Sequence, residues 1–306
     1  MTEQRGGAPV ALAPYVSTAA FTAHPTYLDL DDLRVGDSTP GDQTAELYNI
    51  LLMATEWADN YAEQPLGAHI VVQRGRSRTD RYGRLHIHLQ DRPYIAAGTI
   101  AYGYTPTALT TVAGQQVWEE NNNLLVPIAG ASGPWAGTLQ IGYPAAGQEV
   151  FVEAAYAAGW VATQTTGTTP AGATTLTLSD PTGIQPGGTY RIWEPGAEEN
   201  VTVSPSWTPP PISATPTTPV ATAVPLTAPT QWAHTAAQDV TNMPADLRLA
   251  VINYAVSQLL RPDTAAEDSY PDTHMAVGTR QGDTRQDGSG LVTEAERIIE
   301  KYRRVR

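Results

Sequence analysis

His86 and His88 stand two residues apart in an alternating stretch, so on a strand both imidazoles project from one face. Such a pair could begin a metal site. A protein metal site needs three or more ligands, and no further ligand lies close by in the chain. The pair therefore reads as the polar face of a half-exposed strand. Asp29, Asp31 and Asp32 form an acidic cluster. An EF-hand loop needs a glycine at its turn and a glutamate at its end. Both are missing, and the cluster reads as charge at the start of a short helical turn. Asp263, Glu267, Asp268, Asp272 and His274 could gather a divalent ion, but their stretch is rich in Asp, Gly and Thr and reads as a solvated loop.

Nucleophilic and nucleotide chemistry finds no motif. Gly130-Ala131-Ser132-Gly133 lacks the Gly-x-Ser-x-Gly of a nucleophile elbow. No phosphate-cradling glycine loop with a lysine and no dinucleotide fingerprint is present. Asn200-Val201-Thr202 has the form of a glycosylation acceptor, a chance match without a signal peptide. The expectation is a protein that is not an enzyme, with no catalytic residue, no metal ligand and no cofactor. The aromatic side chains are seven Trp and fourteen Tyr against two Phe. Trp118, Trp135, Trp160, Trp193, Trp207 and Trp232 fall in one region, where exposed Trp could serve a sugar-binding module. Core and subunit interface is the favoured reading, because Trp and Tyr are enriched at interfaces.

Composition narrows the class further. The chain has 306 residues, of which 41% are apolar and only 16% charged. That apolar share is ordinary for a globular protein. Abundant Thr, Pro and Gly favour short strands and tight turns over long helices. The net charge of −13 argues against a nucleic-acid binder, yet it suits a wall past which DNA slides. There is no cysteine, so no disulfide framework and no thiolate site. Neither a signal peptide nor a membrane span is legible, and no membrane partner is expected.

The elements that must position these residues follow from periodicity. Residues 1–24 are small and polar and read as a flexible N-terminal arm, and residues 25–33 as a short turn with Leu28, Leu30 and Leu33 as contacts. A helix is predicted from Asp42 to Tyr61, with Leu47, Ile50, Leu51, Ala54, Trp57, Ala58 and Tyr61 on one face. Alternation predicts a pair of strands over Ala68–Gln73 and Arg84–Gln90, joined by a solvated, charged link over residues 74–81. Further strands are predicted over residues 93–104, 115–118, 123–129, 148–163, 174–178, 188–193 and 198–203. Residues 205–229 hold a proline cluster that reads as extended, exposed or at an edge. A second helix starts at Pro244, carries Leu247, Val251, Tyr254, Ala255 and Leu259 on one face, and is predicted to end at Pro262. A last helix covers Leu291–Arg303, with Leu291, Ala295, Ile298, Ile299 and Tyr302 on one face and a basic end at Lys301, Arg303, Arg304 and Arg306.

The expected fold class is α+β, a small helical bundle of N- and C-terminal helices with a large inserted β-sandwich or barrel-like region. The helical part takes residues 25–66 and 240–306. Its packing side chains are Leu47, Leu51, Trp57, Leu247, Val251 and Tyr254. The β-rich insertion takes residues 67–239 and divides near residue 163.

This order of elements resembles the head-to-tail adaptor (connector) proteins of tailed bacteriophages. The resemblance is carried by residues 25–33, by the helix with Gln43, Leu47, Leu51 and Trp57-Ala58-Asp59, and by the strands after it. It continues through Thr174–Leu178, Thr182-Gly183-Ile184, Gly187, Val201 and Val203, and through Pro244-Ala245-Asp246-Leu247. It implies a structural virion protein at the head–tail interface, assembled in the host cytoplasm. It implies a homo-oligomeric ring, a dodecamer, that binds the portal protein on one side and a tail or tail-completion protein on the other. Such a ring encloses DNA without reading its sequence. By position, Leu291, Ile298, Ile299, Tyr302, Arg303, Arg304 and Arg306 would face the portal. The alternatives are another tail or baseplate β-structural protein, or a carbohydrate-binding module.

Overall fold

The computed structural model describes residues 13–26, 40–112, 117–128, 147–213, 218–267 and 289–304. Its first element is a short helix, Thr18–Ala23 (α1), capped by Ser17, whose Oγ accepts from Ala20 N at 3.2 Å. Tyr15, Val16 and Phe21 are buried in the core. This corrects the reading of residues 1–24 as an arm, at least from residue 13 onward. The segment is poor in apolar residues, but those three point inward and its backbone is held by distant partners. Tyr15 N donates to Thr55 Oγ1 at 3.1 Å, and Ser17 N donates to Asp239 Oδ2 at 2.8 Å.

The next helix spans Pro40–Ala62 (α2). Leu47, Ile50, Leu51, Ala54, Ala58 and Ala62 are buried, as their three- and four-residue spacing requires. A third helix spans Ala245–Glu267 (α3) and a fourth Ser289–Ile299 (α4), which tightens into a 3₁₀ turn over Glu300–Tyr302. Helix α3 does not stop at Pro262. Proline removes one i→i−4 bond, but its fixed φ is helical, and the turns before it are already formed. Helices α2, α3 and α4 and the segment before α1 share one core, in which Leu47, Leu51, Leu247 and Val251 are buried. Trp57 and Tyr254 are partly buried against that core and stack with ring centroids 4.0 Å apart. No helix among the described residues is long and apolar enough to cross a membrane.

Between α2 and α3 the described residues form thirteen strands in antiparallel sheets. The first seven are β1 (His69–Arg78), β2 (Arg84–His88), β3 (Tyr94–Thr105), β4 (Ala108–Thr111), β5 (Trp118–Glu120), β6 (Asn123–Pro127) and β7 (Glu149–Ala158). They form two sheets, ordered β1-β7-β3-β4 and β2-β6-β5. Val71, Ile100 and Val152 from one sheet and Leu85, Ile87, Leu124 and Val126 from the other share a core, as in a sandwich. The two strands read as a pair therefore sit in different sheets. β1 runs against β7, from His69 opposite Ala158 to Arg78 opposite Glu149, and β2 runs against β6. Residues 74–78 are strand rather than solvated link. Gly75 and Ser77 alternate with Arg74, Arg76 and Arg78, and the first two of these arginines meet Glu153 and Glu149 of β7.

The remaining strands are β8 (Ala162–Gln164), β9 (Thr175–Leu178), β10 (Thr189–Trp193), β11 (Glu199–Thr202), β12 (Thr222–Pro225) and β13 (Asp239–Thr241). They form the sheets β11-β10-β13-β8 and β12-β9 around a separate core of Leu176, Leu178, Ile184, Ile192, Val201, Val224 and Val240. No sheet among the described residues closes on itself. The barrel-like expectation gives way to open sheets that each keep edge strands.

The proline cluster straps the two β units together. Ile212 O accepts from Thr99 N at 3.3 Å, at a register shift in β3 between Ala97 and Ile100. Gly98 makes room for this approach, since a Cβ there would lie 2.4 Å from Ile212 O. Gly98→Ala is expected to lift the strap and cost about 1–3 kcal/mol. Urea unfolding would show the loss, and hydrogen exchange would show faster exchange at Thr99. Unchanged exchange at Thr99 would mean the segment is not held there.

Candidate functional site

Helix α4 and the turn after it carry the described residues that the resemblance turned toward a partner, and the apolar ones among them face the chain's own core. Ala295, Ile298 and Ile299 are buried in the helical core, and Leu291 packs against it. Ile298 and Ile299 thus have no surface to offer in this arrangement. An apolar stripe marks the covered side of a helix, whichever chain covers it. Tyr302 is likewise engaged. Its ring meets Trp160 edge-on at 5.3 Å, and its hydroxyl donates to Asp246 Oδ1 at 2.9 Å. Burial, reinforced by Asp246, pushes the Tyr302 phenol up to about 12.

The basic end is stitched to the entry of the β region. Arg304 N donates to Ala62 O at 2.9 Å, and Gln64 Nε2 donates to Tyr302 O at 2.9 Å. Arg303 Nη2 pairs with Glu63 at 2.5 Å, and Lys301 lies 3.5 Å from Asp246. Arg303 and Lys301 remain exposed among the described residues of this end. Arg306 lies outside the described residues, as do Asp29, Asp31, Asp32, Asp268, Asp272, His274, Trp135 and Gly130–Gly133. Nothing is described of the side chains of Asp263 and Glu267.

Beneath this end runs a polar seam that sequence reasoning did not single out. Tyr15 Oη donates to Asp59 Oδ1 at 2.6 Å, and Leu66 N donates to the same oxygen at 2.9 Å. Gly67 N donates to Tyr15 Oη at 2.6 Å. Burial pushes the Asp59 carboxyl up to about 6, against the lowering pull of those donors. A carboxyl raised in the folded state adds stability below its unfolded pKa near 3.8 and loses it as pH rises through about 6. The shift corresponds to about 3 kcal/mol. Asp59→Asn is therefore expected to match the parent at about pH 3, below the unfolded pKa, and to exceed it by up to about 3 kcal/mol at about pH 7.5. Urea titrations of both proteins at the two pH values check this. A gap that does not change with pH would refute it.

A buried ion pair joins the helices to the second β unit. Arg248 Nη2 lies 2.8 Å from Asp239 Oδ2, and Arg248 Nη1 donates to Tyr15 O at 2.7 Å. Gln164 Nε2 donates to the other carboxylate oxygen at 3.2 Å. The Arg248 guanidinium also lies over Trp193, 4.8 Å from its ring centroid.

Further along, a fully buried imidazole is held at both nitrogens. His234 Nδ1 lies 2.7 Å from Glu194 Oε2, and Nε2 lies 2.6 Å from Glu199 Oε1. Thr235 Oγ1 donates to Glu194 at 2.7 Å and Gln231 N to Glu199 at 2.8 Å. Burial works against the charge of Glu194, but the Thr235 and His234 hydrogen bonds lower its pKa overall. This clamp ties the loop over residues 231–235 to the ends of the β10–β11 hairpin. No spacing motif announces it, because its members stand 35 and 40 residues apart.

His86 and His88 lie on the exposed face of β2. His86 Nε2 approaches Asp80 Oδ2 at 3.1 Å, and Arg84 shares that carboxylate. No cluster of three His, Asp or Glu with metal-site geometry is present among the described residues. Of the described Trp residues in the β region, Trp118 and Trp232 are exposed.

No family model and no curated protein matches the chain. Among solved structures, the chain is similar to a component of the neck of an empty GTA particle computed with C6 symmetry. The match has 15% identity and a TM-score of 0.31, and covers 95% of this chain and 94% of that one. That TM-score lies below the range of a shared fold.

Proposed function

We propose that this chain is a structural virion subunit. On this reading it is a head-to-tail adaptor that forms a ring, binds the portal on one side and a tail component on the other, and continues the DNA channel. The observation that carries the reading is that helices from the first and last parts of the described chain share one core. Tyr15, Leu51 and Leu66 meet Leu247, Val251 and Ile299 there, while the β strands form an excursion between them. That is the layout implied by the resemblance to phage adaptors. The acidic balance of −13 supports a lumen past which DNA slides. The chain works by binding and needs no catalytic group.

Native mass spectrometry of the purified chain, alone and with its cognate portal, tests the reading. A closed ring of about twelve copies, or capture by the portal, is the expected result. A strict monomer that ignores the portal would overturn it.

A further inference from the structure

Positive charge is unevenly spread along the chain. Residues 74–92 hold six arginines against two aspartates, whereas the remaining residues hold twelve basic side chains against twenty-nine acidic ones. Arg74 and Arg76 pair with Glu153 and Glu149 of β7 at 2.6 and 3.0 Å. Arg78 and Arg81 are exposed, and neither has a carboxylate partner among the described residues. Beside them, Tyr82 is 59% exposed at the turn between β1 and β2. The guanidinium carbons of Arg81 and Arg84 lie 4.8 and 4.9 Å from its ring centroid. Trp118 is 39% exposed and extends the patch, 5.9 Å from the Arg84 guanidinium. Arg, Tyr and Trp are the side chains enriched where interfaces concentrate their binding energy.

The turn that carries the patch is already ordered. Asp80 Oδ1 accepts from Tyr82 N at 2.8 Å and from Arg84 N at 2.9 Å, while Asp80 Oδ2 takes Arg84 Nε at 2.7 Å. Burial opposes the charge on Asp80, but these bonds and His86 hold its carboxyl at about 2. The turn is thus fixed across the neutral range, and little ordering remains to be done on binding.

We propose that this patch binds the acidic surface of a second copy of the chain. A subunit with a net charge of −13 repels its own copies unless their contact joins unlike charges. The stretch over residues 74–92 is a region of net positive charge facing an otherwise acidic partner. Patch and complement are different surfaces, so the contact is heterologous, the kind that closes into a ring. DNA fits the patch less well, because Glu119 and Glu120 stand exposed on β5 beside Trp118 and would repel a polyanion. The proposal rests on the ring reading above and supplies its contact.

Sedimentation velocity over a concentration series tests it, with the wild-type chain and Arg78→Glu/Arg81→Glu compared at about 50 mM and about 500 mM salt. The wild-type chain is expected to associate, and to do so less at high salt. The double substitution is expected to weaken association by at least about tenfold while leaving the melting temperature unchanged. Equal assembly of the two proteins would overturn the contact and leave the ring reading standing. A wild-type chain that stays monomeric at every concentration would also overturn the contact, and portal capture would then decide the ring reading separately. Retention of a short DNA duplex that the variant loses, with assembly intact, would reassign the patch to nucleic acid.

Discussion

Arg248→Met is expected to destabilise the protein by about 3–5 kcal/mol, the cost of leaving one member of a buried ion pair alone. Arg248 and Asp239 are 5% and 4% exposed at their side chains, so water cannot replace the lost partner. Methionine fills much of the aliphatic volume, which confines the loss to charge and hydrogen bonding. The effect reaches beyond the pair, because Arg248 also holds the carbonyl of Tyr15 and Asp239 holds the amide of Ser17. The segment before α1 should loosen first, and limited proteolysis would find new cleavage around residues 13–24. The double variant Arg248→Met/Asp239→Asn removes both charges and is expected to recover a large part of the loss. If the double variant is as unstable as the sum of the single ones, packing rather than charge explains the effect.

His234→Leu is the second large effect, about 3 kcal/mol of destabilisation. The imidazole separates two carboxylates whose side chains are only 13% and 7% exposed. Each ring nitrogen lies within hydrogen-bond distance of one of these carboxylates. Leucine would leave Glu194 and Glu199 repelling one another across an apolar side chain. The same substitution in a Glu194→Gln/Glu199→Gln background is expected to cost much less. Urea unfolding of the four proteins measures the difference. An equal cost in both backgrounds would show that the imidazole matters for its shape and not for its charge.

Local pattern and tertiary arrangement divided the information in this chain in an orderly way. The helical faces at Leu47, Leu51 and Ala54 and at Leu247, Val251 and Ala255 were legible, because a helix writes its covered side into every third and fourth residue. The alternation of Leu85, Ile87 and Leu89 marked β2 for the same reason, and the Thr-, Pro- and Gly-rich half announced short strands and turns. Strand partners were not legible. Periodicity states which face is buried and leaves the neighbour unnamed, so β1 was paired with β2 when its partner is β7. The arginine-rich half of β1 looked solvated because its glutamate partners lie more than seventy residues downstream.

The same limit governed the candidate site. The face of Ile298 and Ile299 was visible as apolar, but an apolar face is equally suited to the chain's own core and to a partner. The tertiary structure gave it to the core. Buried polar groups were the least legible of all. Asp239 meets Ser17 and Arg248 meets Tyr15 across 222 and 233 residues, and His234 meets two glutamates with no shared motif. Such groups are selected by the need to satisfy one another once buried. By itself the chain determined its acidic balance, its helical faces and its strand-rich middle, because these are properties of composition and local spacing. Only the folded arrangement decided which charges are buried in pairs and which arginines stand free, because those depend on residues far apart in sequence coming within hydrogen-bond distance.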